Sequence, residues 1–141
     1  MPVKGEFFLD KQKIAALFPN RCHPVLESGS DYFEVMRRSK FVFNNHRDEL
    51  SDYANVRVFE ATGVGSCLIT DRGKEMKNFF VLDKEIVTFE SIDEAIEKIE
   101  YLDSHDDARA EIAQAGQKRT LADHTVVKRC EKIHQVVSDL I

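Results

Sequence analysis

Residues Asn55 to Thr70 read NVRVFEATGVGSCLIT. The stretch predicts an apolar helix, a glycine turn and a buried strand in sequence. Val56, Phe59, Glu60 and Gly63 fall at i, i+3, i+4 and i+7, so they share one helical face. Glu60 therefore puts a carboxylate where the pattern calls for a hydrophobic residue. A buried, unpaired carboxylate costs several kcal/mol or gives up its charge. Glu60 must then lie either at the margin of the stripe, reaching water or a base such as Arg57, or in a cleft, where it accepts ligand hydroxyls such as a ribose diol. Gly63 and Gly65 look like the opening of a GxGxxG motif, but position 68 is Leu. The order is also reversed, because in that motif the glycines follow a strand and open a helix. A helix C-cap and a tight turn into SCLIT account for both glycines.

Outward from this segment the chain alternates short strands with helices. Upstream, VKGEFFL reads as a strand, DKQKIAALF as a helix capped by Asp10, and RCHPVL as a short edge strand. SDYFEVMRRS follows as a helix with Tyr32, Val35 and Met36 at helical spacing, and KFVFNN as a strand. The helix carrying Glu60 is expected from about Asp52 to Gly63. Downstream come SCLIT as a strand, DRGKEMKNFF as a loop with a short helix, and EIVTF as a strand. In SIDEAIEKIEYL, Ser91 and Glu94 form a capping box ahead of the apolar stripe Ile92, Ala95, Ile96, Ile99 and Leu102. Two further helices are expected, HDDARAEIAQAG closing at Gly116 and HTVVKRCEKIHQVVSDLI with Val126, Val127, Cys130, Ile133, Val136, Val137 and Leu140 on one face. Strands separated by helices predict an α/β, Rossmann-like parallel sheet with helices on both faces and a helical C-terminal extension. Residues 1–141 read as one domain, with no repeat or interdomain linker.

On such sheets ligands bind beyond the carboxyl ends of the strands. The polar run NNHRDELSDYANVR leaves one strand there and enters the Glu60 helix. Backbone N–H groups at a helix start hold phosphates, so His46, Arg47, Asp48, Asp52, Asn55 and Arg57 are candidates for polar contacts. The plainer account is a solvated loop with Ser51 or Asp52 as N-cap. The next strand-to-helix loop places Asp71, Arg72 and Lys74 at an equivalent edge, and a lysine at a helix start hints at an anion.

Of the 141 residues 43% are hydrophobic and 32% charged, the profile of a folded domain rather than a disordered one. A net charge of −5 argues against a nucleic-acid surface. The three cysteines, Cys22, Cys67 and Cys130, are far apart and form no CxxC pair, and the histidines have no ligand spacing, so no disulfide framework and no metal site is expected. The charged start MPVKGEFFLDKQK lacks the apolar core of a signal peptide, and no run approaches the ~20 apolar residues of a membrane span. A cytoplasmic location is the expectation. No nucleophile elbow or Walker loop is present.

Together, FVFNNHRDELSDYANVRVFEATGVGSCLITDRGKEMKNFF, EIVTFESIDEAIEKIEYL and IAQAGQKRTLADHTVVKRCEKI resemble the C-terminal, donor-binding domain of GT-B glycosyltransferases, in particular the CgeB-like branch of group 1. The resemblance runs from about Tyr32 to Ile133. It implies a nucleotide diphosphate sugar as substrate, with no cofactor and no metal. It implies that Glu60 accepts the ribose hydroxyls. Tyr53, Ala54 and Asn55, at the helix start, would face the diphosphate, with Arg57 nearby. A second glutamate common eight positions earlier is Asp52 here, one methylene shorter. His46 and Asp48 match polar loop positions of that branch. The acceptor-binding half of a GT-B enzyme has no counterpart in the chain, and 40 residues precede FVFNN, fewer than the usual opening strands and loop occupy. The resemblance therefore implies a partial domain that catalyses poorly without an acceptor-binding domain. The basic pair that commonly neutralises the diphosphate has Arg21 as its nearest counterpart.

Two other readings stand beside this one. A non-catalytic remnant would keep the fold and bind a partner chain or its own copy through an exposed face. A receiver-like signalling domain would need an acidic pair after its first strand, and none is seen.

Overall fold

The computed structural model describes residue 16, residues 30–46 and residues 54–140. The expected strands VKGEFFL and RCHPVL lie outside the described residues, as does the DKQKIAALF helix apart from Ala16, which is helical. The described elements are α1 (Ser30–Arg38), β1 (Phe41–Asn44), α2 (Val56–Gly63), β2 (Cys67–Asp71), a 3-10 turn (Met76–Asn78), β3 (Val87–Phe89), α3 (Ile92–Ser104), α4 (Asp106–Asp123) and α5 (Val126–Ser138). The three strands form one parallel sheet in the order β1-β2-β3. Phe41 pairs with Cys67 and Asn44 with Thr70, while Ile69 pairs with Val87 and Asp71 with Phe89.

Strand alternation sends side chains to two cores. On one face Val42 and Leu68 meet Met36 of α1, Val58 and Ala61 of α2, and Met76, Phe80 and Ile86. On the other, Cys67, Ile69, Val87 and Phe89 meet Ala95, Ile99 and Leu102 of α3. The central strand β2 is buried on both sides, which is why SCLIT reads as an unbroken apolar run. Each fully buried Leu or Ile there stabilises the fold by about 1.5–3 kcal/mol. Burial also pushes the Cys67 thiol up to about 12, against the pull of Arg109, so it is a small core residue without thiolate chemistry.

The Ser91 side chain accepts from the Glu94 N–H at 3.2 Å. The reciprocal bond of the capping box goes to the Glu90 N–H, at 2.8 Å, rather than to that of Ser91. α2 ends in a Schellman turn. Ser66 N–H reaches the Ala61 carbonyl at 3.1 Å and Gly65 N–H that of Thr62 at 3.0 Å, with Gly65 at φ 85°. The left-handed residue is thus Gly65, and Gly63 is the last helical one.

Three expectations are corrected. The helix of Glu60 begins at Val56, not Asp52, because Asn55 is extended (φ −78°, ψ 165°) and takes the N-cap position. The face it buries is Val58, Ala61 and Thr62, while Val56 is 70% exposed. α4 does not close at Gly116 but runs on to Asp123, with Gly116 buried inside it. The reason lies in what α4 touches. Its first half (Ala108, Ile112, Ala113) covers the α3 side of the sheet, and its second half binds α2, where the Thr120 and Thr62 hydroxyls lie 2.6 Å apart and Gln117 donates to the Gly63 carbonyl at 3.1 Å. Gly116 faces the Glu85 carbonyl at the crossing.

Among the described residues β3 is a sheet edge, and its outward backbone is clasped by side chains. Thr88 N–H donates to Asp83 at 3.0 Å, and Lys98 donates to the Thr88 carbonyl at 2.7 Å. Asp83 also meets Lys98 and Arg72, each at 3.2 Å. Such a plug blunts an edge that would otherwise pair with another strand. Burial alone would raise the Asp83 carboxyl, but the Thr88 N–H, Lys98 and Arg72 outweigh it and hold it below its ordinary value of 3.8. A depressed carboxyl adds stability above its unfolded pKa and loses it as pH falls through the folded one. Asp83→Asn keeps the acceptor oxygen and tolerates the residue's φ of 57°. We expect it to be less stable than wild type by about 0.5–1 kcal/mol at neutral pH, because half-exposed pairs are screened. The difference should shrink in urea titrations as pH falls below 3.8 and through the depressed folded pKa, and a difference independent of pH would show that the charge contributes nothing.

Candidate functional site

The carboxyl ends of β1 and β2 and the start of α2 meet in one polar network. Its order follows from which atoms can donate. The Thr70 hydroxyl donates to Asp71 Oδ1 at 3.2 Å, so it must accept from Asn44 Nδ2, 3.1 Å away. Asn44 Oδ1 then accepts from Asn55 Nδ2 at 3.1 Å. Asn44 is 1% exposed and Thr70 fully buried, so these bonds are shielded from water. Asn55 Oδ1 is buried with no partner among the described residues.

His46 is fixed on both ring nitrogens. Nδ1 lies 2.6 Å from Asp71 Oδ1, and Nε2 accepts the Asn55 N–H at 3.3 Å. Because Nε2 accepts, the proton is assigned to Nδ1, where it is donated to the carboxylate. The His46 side chain is 5% exposed. Its position makes it a brace that holds Asn55 extended and so sets where α2 begins. The pull of His46 and Asn44 on Asn55 is the physical reason for the late helix start.

Glu60 lies one turn along α2, half-buried at the margin of the helix's buried face. Its Oε2 accepts the Tyr32 hydroxyl of α1 at 2.7 Å. Burial is the main force raising the Tyr32 phenol; Arg57 pulls it down and Glu60 pushes it up. Arg57 Nε is buried with no partner among the described residues. The Asn55 N-cap and two α2 residues, Arg57 and Glu60, thus carry an acceptor and a donor with no partner among the described residues, and a carboxylate, within two turns. Phe59, beside Glu60, packs edge-on against Phe79 and His124, and the Arg129 guanidinium sits 4.8 Å from its ring centroid. His124 also binds the Phe79 carbonyl at 3.0 Å. These contacts pin the first turns of α5 beside α2.

A family model described as glycosyl transferase-like matches residues 13–135. The chain belongs to the glycosyl transferase-like family. A similar fold is seen in the 1.35 Å crystal structure of the C-terminal domain of the glycosyl transferase group 1 family protein LpcC from Francisella tularensis, with a TM-score of 0.62 and 16% identity. The match covers 89% of this chain and 66% of that one, so this glycosyl transferase-like chain spans just under two thirds of that structure's length. No match was found among curated proteins.

Of the residues expected at the site, the structure joins His46 to Asn55 in the polar network and, separately, sets Arg57 and Glu60 about the Tyr32 phenol, with Ala54 leading into the N-cap. Asp48, Asp52 and Tyr53 lie outside the described residues, as do Arg47, Ser51 and Arg21. Gly63 and Gly65 serve the end of α2 and are not part of the polar network. Arg72 is taken up by Asp83, Glu90 and Thr88 at the β3 edge. Sequence reading missed Asn44 and Thr70, although an asparagine closing the apolar run Phe41–Phe43 was the available signal. It also took Tyr32 only as part of an apolar stripe. A groove of about 420 Å³ against Val87, Leu102 and Ile112 shares no residue with this network. Among the described residues no cluster of three His, Cys, Asp or Glu side chains could hold a metal ion, and no helix is long and apolar enough to cross a membrane.

Proposed function

We propose that the chain is the nucleotide-sugar-binding part of a glycosyl transferase of the CgeB-like group 1 type, which moves a glycosyl group from a nucleotide diphosphate sugar to an acceptor. The observation that carries this reading is the Glu60 carboxylate, held half-buried by Tyr32 on the helix whose start lies at the carboxyl ends of the strands. A carboxylate accepts from two adjacent hydroxyls, which suits a ribose diol. The N–H groups at the start of α2, with Arg57, then suit the diphosphate, and fixed donors of this kind stabilise a leaving phosphate. Asp52 remains the proposed contact for the donor sugar. The acceptor would be bound by a separate domain or chain.

Calorimetric titration with UDP, GDP and their sugar conjugates tests the reading. Saturable binding is expected, weakened by about 1–3 kcal/mol in Glu60→Ala, the range for losing a hydrogen bond to a charged group. A folded wild type that binds none of these would sink it.

A second reading is favoured by α5, whose apolar stripe stays exposed, with Val126 79%, Ile133 63% and Val136 54% accessible. A patch of this kind marks an interaction surface, as expected of a module that binds a partner chain or a second copy. Failure of every nucleotide to bind, together with association in solution, would favour it.

A further inference from the structure

Glu60 has three side-chain torsions and sits half-exposed, so left alone it would sample several rotamers. Tyr32 removes that freedom. Its ring has two torsions, packs against the first core and meets Phe33 edge-on at 5.2 Å. The helix carrying it is itself tied down. The Met36 side chain is 1% exposed, and the Met36 carbonyl accepts the Ser66 hydroxyl. Ser66 also closes the Schellman turn of α2. The support therefore forms a ring: α2, its terminal turn, Ser66, α1, Tyr32 and back to Glu60 on α2. Arg57 also acts on the phenol, pulling its pKa down. A guanidinium only donates, so the phenol oxygen faces a donor and its hydrogen is left for Glu60.

We propose that Tyr32 is the positioning residue for Glu60, fixing the carboxylate so that it distinguishes nucleotides with a ribose diol from those without one. The proposal rests on the donor-binding reading above. A carboxylate offers about four acceptor positions over its two oxygens. The phenol takes one on Oε2, which leaves room on each oxygen for one hydroxyl of a vicinal diol. Tyr32 thus sets the carboxylate plane without using the capacity the diol needs. Preorganisation of this kind raises affinity by removing the cost of ordering a side chain on binding.

The test is a double-mutant cycle of Tyr32→Phe and Glu60→Ala, titrated with UDP and 2′,3′-dideoxy-UDP, and with GDP and its dideoxy counterpart. Tyr32→Phe should weaken the ribonucleotide by about three- to tenfold, the scale of immobilising one side chain. It should leave the dideoxy nucleotide unchanged and have no effect once Glu60 is alanine. Equal weakening of both nucleotides, or the same loss without Glu60, would reduce Tyr32 to structural support and overturn the proposal. So would a silent Tyr32→Phe in a wild type that binds. A folded wild type that binds neither UDP nor GDP overturns the donor reading and this one with it. A ligand-free check uses the phenol itself, whose ionisation the Glu60 charge opposes. Glu60→Ala should lower the tyrosine titration in the ultraviolet, and no change would overturn the contact even if Tyr32→Phe failed to fold.

Discussion

Gly116→Ala should destabilise the chain by about 2–4 kcal/mol, although helix propensity alone predicts a gain of about 1 kcal/mol for alanine over glycine inside a helix. The two effects oppose each other, and sterics decide. A Cβ built on Gly116 would overlap the Glu85 carbonyl oxygen and come within 3.4 Å of Thr62 Cγ2. Neither neighbour is a flexible side-chain end. Glu85 is backbone in the turn that leads into β3, and Thr62 is 1% exposed on α2. α4 must therefore lift away from both. Lifting it stretches the Thr62–Thr120 hydroxyl pair, the Gln117 bond to Gly63 and the Arg119 bonds to Glu85, each 3.1 Å or shorter. Overpacking of this sort costs about 1–3 kcal/mol in cores, and strained hydrogen bonds add to it. Gly63→Ala is the control, since its Cβ would meet only Thr120 Cγ2 at an ordinary 3.6 Å. It should be neutral or slightly stabilising. Urea unfolding of both variants decides the matter, and a neutral Gly116→Ala would show that α4 does not approach the turn this closely.

Gly116 also shows where the sequence was readable and where it was not. The three described strands and most described helices were legible because burial follows local periodicity: SCLIT is buried throughout, and Ala95, Ile99 and Leu102 form the buried face of α3 as their spacing predicts. A glycine after an apparent helical run reads as a terminator, because its ability to end a helix is a local property. The close approach that requires Gly116 is made to Glu85, distant in sequence, and leaves no local trace. α4 hides its length for a related reason. Its two halves bury different faces against different partners, so no single stripe runs along it. At the site, Glu60 was legible as an interruption of an apolar pattern. The bond from Tyr32 and the brace from His46 to Asn55 were not, because they join residues through the fold. The start of α2 was misplaced by the same logic, since Asn55 is held extended by groups on β1 and in the loop after it.

That dependence leads to the second large effect. Asn44→Ala should cost about 2–4 kcal/mol and should also loosen the start of α2 without replacing any residue assigned to a ligand. Asn44 is the middle member of the relay from Asn55 to Thr70. Removing it strips an acceptor from Asn55 Nδ2 and a donor from the Thr70 hydroxyl in a place closed to water. Each polar group left unsatisfied there costs about 1–3 kcal/mol. Val42→Ala, on the same strand, serves as the comparison. It should cost an ordinary cavity penalty of similar size but leave the relay intact. The two variants therefore separate by location rather than by total stability. In amide hydrogen exchange, Asn44→Ala should speed exchange at Asn55, whose N–H is held by His46 Nε2, while the ladder between β1 and β2 keeps its protection relative to the lowered global stability. Val42→Ala should lower protection across the sheet without singling out Asn55. Uniform loss in both variants would mean that Asn44 supports only the sheet and that the start of α2 is set by something else. Selective loss at Asn55 would show that the geometry of the proposed phosphate-binding end is set from beneath, by a buried asparagine that no bound nucleotide would contact.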